Sequence, residues 1–263
     1  DIKPAAGFFG PLTRVFFVMI RRPARATLCY TIFMVTINNS RVENMFKAGA
    51  HFAFSKTRRH PTVTPYIFGV KNKVEIFDLE KTEVLLEKAK DFIASLAKEG
   101  KTILFVGGKS EARNSIKSGA LSINMPYVDG RWIGGALTNF TQIRKRVEKM
   151  EKLVSEKEKG ELAKYTKKER LLIDKEIANL ERFFSGIVSM KDLPKAIFIV
   201  DPKKEKTALK EAQDMGIPVI ALAGSDCNIK GLDLPMVGND SSQTSVNFFV
   251  QEIVKAYSTA KKV

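Results

Sequence analysis

Lys56, Arg58, Arg59 and His60 fall within five consecutive residues, with Phe52 and Phe54 before them and Tyr66 and Phe68 after. Ammonium and guanidinium groups pair with phosphate oxygens, and neighbouring aromatic rings offer faces to exposed bases. Lys71 and Lys73 continue the cationic stretch. A second group surrounds the only tryptophan: Arg131 precedes Trp132, Gly134-Gly135 follow, and Arg144, Lys145 and Arg146 come a few residues later. The paired glycines let backbone approach another surface closely. The arginines match phosphate with a planar fork, and the lysine adds a point charge. Trp132 itself reads better as a core anchor beneath this loop.

Catalytic chemistry has weaker support. Gly108-Lys109-Ser110 has the ending of a phosphate-binding loop, but the glycine required five positions before Gly108 is Ile103. Gly107-Gly108 is then a tight strand-to-helix turn, with an anion contact at the helix N-terminus as the lesser reading. Asp201 and Asp226 follow strands and could approach a ligand together, yet acids in such places more often cap helices or fix turns. His51 and His60 are the only histidines, and neither HExxH nor a GxSxG elbow occurs. No nucleophile–histidine–acid set is evident, and the chain is not expected to be an enzyme. Neither metal nor cofactor is expected. Cys29 and Cys227 form no CxxC pair, which fits a reducing, cytoplasmic compartment.

These groups need a scaffold. Ser40 can cap a short helix to about residue 48, and Pro61 and Pro65 are expected to hold the basic stretch extended. Beyond Gly69 the chain becomes regular. Short apolar runs at 74–77, 102–106, 126–128, 196–200, 219–223 and 234–237 read as strands. Helical spacing appears over about 80–98, 109–122, 204–214 and 242–260. Apolar strands alternating with helices imply a doubly wound parallel sheet covered on both faces. Between them, Ile143, Val147, Met150 and Val154 recur at 4-3-4 spacing, as do Ile173, Ile177, Leu180 and Phe184. Two such seams, over about 137–157 and 167–185, predict an inserted antiparallel coiled-coil hairpin with a charged tip. The expected division is a basic segment 34–73, an α/β domain over 74–136 and 188–260, and the hairpin at 137–187.

The 263 residues carry 44 Lys and Arg against 29 Asp and Glu, a net charge of +15. That excess favours a polyanionic partner, nucleic acid before an acidic membrane surface. Residues 1–33 stand apart. Val15–Ile20 is too short an apolar run for a membrane span. Phe16–Leu28 (FFVMIRRPARATL) resembles translated sequencing-adapter read-through, so residues 1–33 are expected to be a non-native extension or a disordered arm, with Met34 as the start.

Longer motifs carry a resemblance. AGAHFAFSKTRRHPTVTPYIFGVKNKVEIFDLEKT at 48–82, FVGGKSEA at 105–112, MPYVDGRWIGGALTNFTQIRKRV at 125–147, YTKKE at 165–169, GIPVIAL at 216–222 and GNDSS at 238–242 occur in this order. Together they resemble the family of the second protein of the bacterial small ribosomal subunit, over roughly 40–257. The resemblance implies a flavodoxin-like fold with a coiled-coil hairpin and a structural, ribosome-bound role on 16S rRNA. It also implies neighbours among small-subunit proteins, including the large messenger-binding protein one, and no homo-oligomer. The rRNA contacts it implies are Lys56, Arg58, Arg59, His60, Lys71, Lys73, Arg131, Arg144, Lys145 and Arg146. The family usually has histidine where Phe54 stands, glycine at Ala53 and an aromatic at His60, so neither a metal nor the same stacking is expected there. The competing reading is a nucleotide- or sugar-phosphate-binding enzyme on a doubly wound sheet.

Overall fold

The computed structural model describes residues 39–261; the readings of residues 1–33 and of Met34 lie outside the described residues. After helix α1 (Asn39–Lys47), strands β1 (Phe52–Ser55), β2 (Ile67–Lys71) and β3 (Val74–Phe77) form a small antiparallel sheet in the order β1-β3-β2. Strands β4 (Ile103–Val106), β5 (Tyr127–Val128), β6 (Ala196–Val200), β7 (Val219–Ala223) and β8 (Leu234–Val237) form a parallel sheet in the order β5-β4-β6-β7-β8. Within the parallel sheet this is the order of flavodoxin-like doubly wound folds, which reverses direction between β4 and β6.

Continuous apolar runs make the central strands because both faces are covered. In β4 and β6, paired from Ile103–Ala196 to Val106–Ile199, successive side chains enter opposite cores. Ile103, Phe105, Phe198, Ile220 and Leu222 pack with α2 (Leu79–Lys98), α3 (Ser110–Ser122) and α7 (Gln243–Lys261). Leu104, Val106, Ile197, Ile199 and Ala221 face α6 (Lys206–Asp214) and the roots of α4 (Phe140–Glu158) and α5 (Lys167–Phe184). Among the described residues, no helix is long and apolar enough to cross a membrane.

Helix ends follow local chemistry. The Asp78 carboxylate accepts from the N–H groups of Glu80 and Lys81 to start α2. Thr166 and Glu169 form a reciprocal capping box at the start of α5. Helix α4 starts at Phe140 rather than near Leu137. The Leu137 N–H is taken by the side chain of Glu211, and Gly135, at φ +87°, turns the chain before the helix can begin. Helices α4 and α5 pack on each other, with Ile143, Val147, Met150, Ile177 and Phe184 buried. Lys157 pairs with Asp174 across them at 2.8 Å, and Lys149 pairs with Glu176.

The basic segment is folded more tightly than its prolines suggested. Lys56–Arg58 and Pro61–Tyr66 are 3-10 turns, not extended chain. Pro61 fills the first position of the second turn, where no N–H is needed, and the His60 ring accepts from the Thr62 N–H. Strands β1 and β2 were not legible: each is short, and each pairs with β3 through an irregular register. Asn72 and Lys73, at φ 51° and 66°, close the β2–β3 hairpin tightly.

The close approach of Gly186 to β5 gives a test. A Cβ there would lie 2.1 Å from the Tyr127 carbonyl oxygen, whereas one at Gly134 meets open space. Gly186→Ala is expected to cost about 2–3 kcal/mol in denaturant unfolding. Gly134→Ala should stay within about 0.5 kcal/mol of the parent.

Candidate nucleic-acid interface

Doubly wound sheets place ligands beyond the carboxyl ends of their strands, where the strand order reverses. Here that place is filled from within. Lys109, just after β4, donates to Asp240 Oδ2 at 2.9 Å and to Asp201 Oδ2 at 3.4 Å. Burial alone would lower the Lys109 pKa, but the two carboxylates more than offset it, and the ammonium is held above its ordinary value. Asp240 is 2% exposed, and burial pushes its carboxyl up, although the bond from Lys109 opposes that. The Gly108 backbone bonds the carboxylate of Glu205, itself buried and pushed upward by that burial. Thus the groups that would grip a phosphate at this turn grip the chain's own carboxylates. The Cys227 thiol beside Asp201 is buried and its pKa is raised, chiefly by burial, which leaves it a poor nucleophile.

The same edge of the sheet is covered by the basic segment. The His60 N–H donates to the Ser225 carbonyl at 2.8 Å, and the Phe54 N–H donates to Ser225 Oγ at 3.0 Å. Beyond β8, the Asn239 N–H donates to the Ala50 carbonyl, and its side chain donates to the Gly49 carbonyl. Val63, Phe77 and Val237 form a small core beneath. The loops after β7 and β8 therefore hold the segment as a fixed surface.

The expected contact residues are spread over two surfaces. On the segment, Lys56, Arg58, Lys71 and Lys73 are exposed. Arg58 lies over the Phe54 ring, 5.6 Å from its centroid. Arg59 differs: Nη1 donates to Glu75 Oε1 at 2.8 Å, and Glu75 is fully buried. His60 is half-buried, with Nδ1 2.8 Å from Thr62 Oγ1. The second surface lies by β5, at the opposite edge of the parallel sheet. Arg131 is exposed and lines a cleft of about 810 Å³ with Arg113, Lys117 and Arg182, between α3 and the helices α4 and α5. Arg144 is partly committed, donating to the Val188 carbonyl at 3.0 Å, whereas Lys145 and Arg146 are exposed.

The model of the family described as ribosomal protein S2 matches residues 45–260. The chain belongs to the ribosomal protein S2 family. The small ribosomal subunit protein uS2 of a Nitratiruptor species is 39% identical over 223 residues, covering 84% of this chain and 83% of that protein. That of Sulfurimonas denitrificans is 38% identical over 220 residues, covering 84% and 85% respectively. Sharing the S2 family, the chain is a structural ribosomal protein and not an enzyme.

The carboxylates that shape this S2 surface do not stand out in the sequence. Glu211 Oε1 accepts from Trp132 Nε1–H at 3.1 Å and from the Gly135 N–H at 2.8 Å, and Oε2 accepts from the Leu137 N–H at 3.0 Å. Its signal was present: Glu211 shares the inward face of α6 with Ala208 and Ala212. Trp132 is the expected core anchor, 7% exposed. Glu75, the only carboxylate in 51–77, alternates inward between Val74 and Ile76.

Two outcomes follow. Glu211→Ala strands three donors and is expected to lower stability by about 3 kcal/mol, with Glu211→Gln intermediate. The emission of the single tryptophan should shift to the red in the alanine variant. Lys109→Met is expected to cost about 3–5 kcal/mol at neutral pH, because it leaves Asp240 buried without its cation. A carboxyl whose folded pKa is raised loses stability as pH rises, so this loss should grow between about pH 4 and 7 in denaturant melts.

Proposed function

We propose that this chain holds 16S rRNA in the small ribosomal subunit through two separate basic surfaces, and so supports subunit assembly and translation. The observation that carries this reading is a division of charge. Lys109, at the carboxyl end of the sheet, is neutralised internally, while Lys56, Arg58, Lys71, Lys73, Arg131, Lys145 and Arg146 face outward. Outward cations on a fixed backbone suit phosphates already fixed in a folded RNA. His60, Arg59 and Arg144 complete the two surfaces at their half-buried margins, the arginines pairing through nitrogens not used by Glu75 or Val188.

The basic segment 34–73, the hairpin 137–187 and the Arg131 loop are the RNA-facing parts, and the rest of the α/β domain over 74–136 and 188–260 is their common base. We read α4 and α5 as an antiparallel coiled coil inserted into a flavodoxin-like domain. The matched 4-3-4 spacing of their apolar residues and the ion pairs across them support this. The location is cytoplasmic and ribosome-bound, and the chain forms no homo-oligomer. Neighbouring small-subunit proteins, the large messenger-binding protein one among them, are its protein partners. The enzyme alternative is not favoured, since the turn at Gly108 binds Glu205 instead of a ligand.

Sucrose-gradient sedimentation of cell extract at low salt should place the chain with small subunits, and high salt should release it; recovery only in the soluble top fraction overturns the reading. In rRNA binding, Lys56→Ala and Arg58→Ala should each reduce the salt slope by about one and leave stability unchanged. Arg59→Ala should instead cost about 3–5 kcal/mol of folding stability by leaving Glu75 buried and unpaired.

A further inference from the structure

Phe68 is 80% exposed, the most exposed of the large apolar side chains described, and it makes no ring contact. Its backbone explains how it is presented. On β3 the register steps from Phe77 to Ile76, whereas on β2 it steps from Ile67 to Gly69, so Phe68 is the extra residue of a β-bulge. Bulges re-aim a side chain that a regular ladder would keep in line. Here the bulge lifts a phenyl ring out of a sheet that has a buried side available for apolar residues, Phe77 being 2% exposed. Such exposure is unfavourable in water and points to a partner that covers the ring.

The surrounding charge selects the partner. Between His51 and Phe77 the chain carries Lys56, Arg58, Arg59, Lys71 and Lys73 against the single carboxylate Glu75. Glu75 is fully buried and paired with Arg59, so no carboxylate of this segment is exposed. Three residues beyond Phe68, Lys71 is exposed at the end of β2, and Lys73 is exposed in the left-handed turn. Neither lysine has an ion-pair partner among the described residues. Gly69, the next residue, has open space beyond its chain neighbours where a Cβ would be. An apolar protein groove could cover the ring but leaves the cations unmatched. A nucleotide strand matches both, stacking a base on the ring and setting phosphates against the lysines.

We infer that Phe68 is a stacking platform for an unpaired RNA base, with Lys71 and Lys73 holding the adjoining phosphates. This rests on the rRNA-binding reading and deepens it: the β2–β3 hairpin takes a single-stranded nucleotide rather than the backbone of a duplex. The ring supplies contact with the π-face of any base, and the lysines supply the salt-dependent part of binding.

Filter binding of the full chain to 16S rRNA over a salt series tests this. Phe68→Ala is expected to weaken binding about tenfold at every salt concentration without changing the slope. Phe68→Trp should bind like the parent, and Phe68→Leu should behave like the alanine variant, because bulk without an aromatic face does not replace stacking. Lys71→Ala and Lys73→Ala should each reduce the slope by about one. Thermal melts should be unchanged for the position 68 variants, since the side chain packs on nothing that a melt would report. Unchanged binding by Phe68→Ala, or full binding by Phe68→Leu, overturns the stacking proposal. Poor incorporation of Phe68→Ala into subunits despite unchanged RNA affinity also overturns it, in favour of a protein contact. Failure of the parent chain itself to bind 16S rRNA refutes the broader rRNA-binding reading instead.

Discussion

The ammonium of Lys109 joins three crossovers at one point. It leaves the β4–α3 turn and meets Asp201 at the end of β6 and Asp240 before α7. An ion pair this enclosed contributes less to net stability than its Coulomb energy suggests, because both partners lose hydration. Its larger effect is on what the sheet can do. With Glu205 on the Gly108 backbone and Lys109 on two aspartates, the switch point of the sheet has its charge complement built in. The fold that serves many enzymes as a ligand platform serves here as a rigid base.

That rigidity is passed outward at two edges. Ser225 and Asn239, in the loops after β7 and β8, take up backbone groups of the basic segment, so its exposed cations are carried by a strand-and-turn unit of fixed shape. At the other edge Glu211 takes three donors from the loop between β5 and α4, and this fixes where α4 begins. A carboxylate suits that loop because it offers two acceptor oxygens to donors that would otherwise be buried without partners. Both surfaces are therefore organised within the chain itself, and a surface of fixed shape reduces the ordering that binding requires.

Arg59 and Arg58 show how adjacent residues of similar chemistry divide their roles. Arg59 turns inward to Glu75, and Arg58 stays outside against the face of Phe54. Sequence alone gives both the same meaning, a cation in a basic run. The difference arises from the pleat of β3, which sends Glu75 to the buried side and so draws one arginine after it.

Local pattern determined the parallel strands, their alternation with helices and the two apolar seams at 143–154 and 173–184, because periodicity is written in neighbouring residues. The runs at 196–200, 219–223 and 234–237 coincide with β6, β7 and β8. The ordered motifs identified the family, and the net charge indicated a polyanionic partner. The small antiparallel sheet was beyond this reach: the run at 74–77 is β3, but β1 and β2 join it through irregular registers, and β1 is also held by a loop more than 150 residues away. So was the inward turn of Lys109, Arg59 and Glu211, since a charged side chain declares its partner only once folding has brought that partner beside it. The sequence supplied the cations; the tertiary structure, through the placement of a few buried carboxylates, decided which of them remain exposed.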